Sequence, residues 1–126
     1  MSGNLFLRTG MIFLMVGIGL GMYMGSREDF TQVAVHVHLN LVGGVWMFLA
    51  GLFYNAHPQV SRKAMALHYV LAIVGLPLFA IGLWGAHIGA KWYLPFIIPG
   101  SSLSSLGLIV FAVLVFIGTG KKKAVV

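Results

Sequence analysis

Residues 33–54 read VAVHVHLNLVGGVWMFLAGLFY, a run of apolar residues with no Asp, Glu, Lys or Arg. About 20 consecutive apolar residues suffice to cross the hydrocarbon core of a bilayer. In lipid an open strand would leave its backbone donors and acceptors unpaired, so the run must be a helix. Working outward, three further stretches have the same character: about 5–25, 66–88 and 97–118. The connectors SREDFTQ, NAHPQVSRKA and GAKWYLPF are short and polar or marked by Pro and Gly, so neighbouring helices run antiparallel. The expected fold is all-α: an integral membrane four-helix bundle forming one domain over residues 1–126, without internal repeat.

Composition excludes the soluble classes. The chain is 60% hydrophobic and 8% charged, far from the balance of a water-soluble domain. Its net charge of +6 does not point to nucleic acid, because the basic residues stand at span ends. Arg8, Arg62, Lys63, Lys121, Lys122 and Lys123 fall on one side, and Arg27 and Lys91 on the other. That asymmetry predicts both termini in the cytoplasm, and the expected location is a bacterial inner (cell) membrane. The first span has an early Arg8 and lacks a small-residue cleavage site, so it is read as a helix and not as a signal peptide. With no cysteine, disulfides, thiolate metal sites and thiol catalysis are all excluded.

Two histidines, His36 and His38, lie within the second span. At 100° per residue they leave the helix about 200° apart, so they cannot grip one ion together. Each needs its own partner, since polarity in lipid is costly and by default functional. Neutral imidazole is a strong iron ligand, and a porphyrin offers the apolar plane that buried helices can enclose. Glycines at 43, 44 and 51, and the row at 17, 21 and 25, permit close approach. Asn40, one turn below His36, is placed to orient that ring or to bond across helices.

The stretch HVHLNLVGGVWMFLAGLFY resembles the haem-ligating helices of the main subunit of the haem-copper oxidase superfamily, above all its nitric oxide reductase and cbb-type branches. Short four-helix chains of this kind are described as cytochrome c oxidase subunit I-like. The resemblance covers one helix closely and the rest in hydropathy. In that superfamily twelve helices form three arcs of four, and the two histidines of one HxH pair serve different haems. It implies that this chain is one third of such a ring and assembles as a homotrimer. His36 of one subunit and His38 of its neighbour would then clamp one haem b.

The copper site of those enzymes needs an adjacent HH pair that this sequence lacks, so oxygen or nitric oxide reduction is not expected. Bis-histidine iron suits one-electron transfer or haem-linked redox sensing, with an electron donor or acceptor as partner. His87 is the alternative ligand within one subunit, and Arg27 and Lys91, with Trp92 and Tyr93, are placed to meet haem propionates. His57 is expected in a solvated turn, His68 at a helix end. Two other readings remain open: a copper-binding membrane protein using Met22 and Met24 with the histidines, and a cofactor-free assembly subunit of a respiratory complex.

Overall fold

The computed structural model describes residues 1–120; Lys121, Lys122 and Lys123, half of the basic residues assigned to the inner side, lie outside the described residues. Four helices are long and apolar enough to cross a membrane: Gly3–Arg27, Val33–Ala56, Arg62–His87 and Leu94–Thr119. Among the described residues there is no strand. The helices overrun the expected spans by up to four residues, because hydropathy marks the lipid-buried stretch whereas a helix continues to its cap. Ser61 caps the third helix by accepting from the Ala64 amide, and Pro95 lies in the first turn of the fourth, where its missing N–H is harmless.

The bundle is built from two hairpins. The first helix lies along the second and the third along the fourth, with fewer contacts between the hairpins. Both seams use glycine where backbones approach. On the first seam, a Cβ added at Gly10 would sit 2.9 Å from the Gly44 carbonyl. On the second, one at Gly75 would meet the Ser104 amide at 2.6 Å. Without a hydrophobic difference between lipid and side chain, such close packing is what holds spanning helices together. Gly25 meets nothing within 4 Å, so only Gly17 and Gly21 of the expected 17, 21, 25 row serve this purpose. Gly43, Gly44 and Gly51 are filled by Phe13 and Leu76, Leu14, and Leu7 of the same bundle.

The core joining all four helices lies toward the end that bears the N-terminus. Phe6, Met47, Ala50, Tyr54, Met65, Phe111 and Leu114 form one buried cluster, and His68 is stacked within it on Phe111 at 5.1 Å.

The second helix is not uniform. Residues Leu39–Trp46 are wound as a π-helix between α-helical segments Val33–His38 and Met47–Ala56. Such widened turns are rare and occur mostly at functional sites; here the segment begins directly after His38. Asp29 accepts from the Thr31 amide at 3.0 Å and from its hydroxyl at 2.5 Å, while Gln32 occupies the N-cap without a side-chain bond. Glu28 ends the first helix in the left-handed region, at φ 52°.

Candidate functional site

His36 and His38 leave the second helix on different flanks. His36 is turned to the first helix, into the notch left by Gly17 and Gly21. Its Nδ1 lies 2.7 Å from the Gly17 carbonyl oxygen, which can only accept, so Nδ1 carries the proton and Nε2 is a lone-pair acceptor. The Asn40 amide nitrogen lies 3.2 Å from both ring nitrogens, which places it over the face of the imidazole and not along the Nε2 lone pair. The ring is thus anchored through Nδ1 and covered on one face by the Asn40 amide. Asn40 Oδ1 is buried without a partner.

His38 has the opposite character. Its Nδ1–H donates to the Ala34 carbonyl one turn back, at 2.7 Å, which leaves Nε2 as a free acceptor. The ring meets Phe79 of the third helix edge-on at 4.9 Å. It lines a cleft of about 270 Å³ walled by Val42, Phe79 and Leu108, with hydroxyls from Ser101, Ser104 and Ser105. A backbone-anchored Nδ1 with an open Nε2 is the arrangement that presents imidazole to a metal.

The remaining sequence candidates are spread out. His87 bonds its own helix through Nδ1 to the Leu83 carbonyl at 2.7 Å and is exposed at the end of the bundle opposite the N-terminus. The Arg27 guanidinium lies 5.0 Å over the Tyr23 ring, and Lys91 is exposed in the last connector. Asn40 is the one residue of this group brought against an expected ligand, His36, with its amide nitrogen 3.2 Å from both ring nitrogens. Met24 is 4% exposed and Met22 72%, so the two thioethers point to different surroundings. No group of three or more His, Cys, Asp or Glu able to hold a metal ion occurs among the described residues.

Two histidines toward the N-terminal end of the bundle differ from expectation. His57 is half-buried and not free in solvent, stacked on Phe53 at 4.2 Å and bonded through Nδ1 to the Phe53 carbonyl at 2.9 Å. His68, expected at a helix end, is 1% exposed and bonded through Nδ1 to the Tyr54 hydroxyl at 2.8 Å. The third helix begins at Arg62, so position 68 lies nearly two turns inside it.

Ser104 was not singled out by sequence reasoning. It is 8% exposed with its hydroxyl unpartnered. The run SSLSS at 101–105, four hydroxyls inside an apolar span, was the available signal. No protein-family model, curated protein or solved structure matches the chain.

Proposed function

We propose that this chain is a multi-pass protein of a bacterial inner membrane, termini cytoplasmic, that binds haem b and serves one-electron transfer or redox sensing. One observation carries the reading: within the apolar thickness, His38 presents an unengaged Nε2, its tautomer fixed by Ala34, to a cleft with apolar walls. A bound haem would supply a one-electron couple at its iron. The chain's contribution is ligation by His38, apolar cover from Phe79, Val42 and Leu108, and hydroxyls that can meet polar groups at the cleft.

The second axial ligand is an imidazole from a neighbouring copy, consistent with the homotrimer that the sequence resemblance implies. His36 can serve only by turning out of the notch where the Gly17 carbonyl holds its Nδ1 and the Asn40 amide covers its ring; His87 needs no such movement. The test is haem titration of purified protein in detergent. His38→Ala abolishes the low-spin spectrum, whereas His57→Ala, at the other end of the bundle, leaves it. Full haem uptake by His38→Ala would overturn the assignment. Loss of the spectrum in His36→Ala or in His87→Ala identifies the partner ligand.

A further inference from the structure

The buried polar groups that the haem reading leaves unused form a series along the bundle. The outer member is the His38 cleft, lined by Ser101, Ser104 and Ser105. Ser104 also lines a small void of about 10 Å³ shared with His68 and otherwise walled by apolar side chains, at the lower limit of what one water needs. The Cδ2 edge of the His68 ring, which carries Nε2, faces the fourth helix at Gly107, where an added Cβ would lie 3.7 Å from Cδ2. Gly107 is one turn from Ser104 on that helix. The ring's other edge bonds Tyr54 at 2.8 Å. Tyr54 in turn lines an inner cleft of about 170 Å³ together with Asn55, His57 and Arg62.

We infer that a water bridges Ser104 Oγ and His68 Nε2, and that the series from the His38 cleft through Ser104, this water, His68 and Tyr54 conducts protons across the bundle. A buried hydroxyl without a partner is costly, and a water is the one ligand the void admits. Imidazole suits the central position because it accepts a proton at one nitrogen and releases one from the other, exchanging tautomers with no net change. A proton reaching Nε2 from the water leaves Nδ1 for Tyr54, whose own hydroxyl proton passes to the inner cleft. Residues 38 to 54 cover about 24 Å of helix at 1.5 Å per residue, most of the roughly 30 Å apolar thickness. The rings of Phe6, Tyr54 and Phe111 pack around His68, and among the described residues no charged side chain lines the void it shares with Ser104.

This inference does not rest on haem, and haem-free protein suffices to test it. The purified protein is reconstituted in phosphatidylcholine–phosphatidylglycerol vesicles containing a pH-sensitive dye. A potassium diffusion potential then drives protons inward. Flux above that of protein-free vesicles is expected, with Ser104→Ala and Tyr54→Phe each lowering it about tenfold through loss of one hydrogen-bonding link. Ser102→Ala is expected to leave it unchanged, since that hydroxyl is exposed and bonded to the Ile98 carbonyl at 2.8 Å. Flux no greater than in protein-free vesicles, or full flux in both Ser104→Ala and Tyr54→Phe, overturns the path. A conducting protein that takes up no haem would remove the haem reading alone.

Discussion

Adding a single methyl group at Gly21 tests the placement of His36. The Cβ of Gly21→Ala would stand 2.6 Å from His36 Cε1 and 3.0 Å from its Nδ1. That is about 0.8 Å inside the onset of ordinary contact, and close-packed interiors do not absorb it freely. Either the first two helices part, or the imidazole leaves the notch and gives up its bond to Gly17. Overpacking of this size costs about 1–3 kcal/mol, and a lost hydrogen bond about 1 kcal/mol more. Replacing a helical glycine by alanine returns up to about 1 kcal/mol through propensity. Gly19→Ala isolates that return, because nothing lies within 4 Å of position 19. That return is common to both variants and cancels in the comparison, so Gly21→Ala is expected to be less stable than Gly19→Ala by about 2–4 kcal/mol, the sum of the overpacking and lost hydrogen-bond terms. The assay is denaturation in mixed micelles followed by circular dichroism, with both variants on the same preparation. Equal stability of the two would refute the notch.

Three further outcomes are expected. Tyr54→Phe leaves His68 Nδ1 without its partner in a site that is 1% exposed, and should destabilise the bundle by about 1–3 kcal/mol in the same assay. Asn40→Ala removes the amide that covers the His36 ring; haem titration of this variant should show tighter binding where His36 supplies the second ligand and unchanged binding where His87 does. In the first connector, the side-chain and backbone bonds from Thr31 hold the Asp29 carboxyl below its ordinary value. A depressed folded pKa adds stability above the unfolded value that is lost as pH falls through the folded one. Exchange at the Thr31 amide should therefore quicken only under strongly acid conditions, and Asp29→Asn should remove most of that pH dependence.

The spans were legible in the sequence because lipid imposes a length and a polarity that the residues declare directly. Their ends were less so. The third helix begins at Arg62 and not at 66, since the turn capped by Ser61 is polar and carries no hydropathy signal. The divergence of His36 and His38 followed from helix geometry, but what each meets did not. Gly17 accepts from His36 only because the first seam brings those backbones together. The π-helical winding at Leu39–Trp46 leaves no mark in composition. His68 and Ser104 acquire their shared void through the approach of the third and fourth helices at Gly75 and Gly107. Periodicity does not reveal such an approach when a helix is apolar on every side.

Haem ligation by His38 is decided by an optical spectrum of the detergent-purified protein, oxidised and then dithionite-reduced, with pyridine extraction to identify and count the haem. Sharp low-spin bands from haem b, lost in His38→Ala, are the predicted result. A colourless protein that takes up no added haem would contradict it.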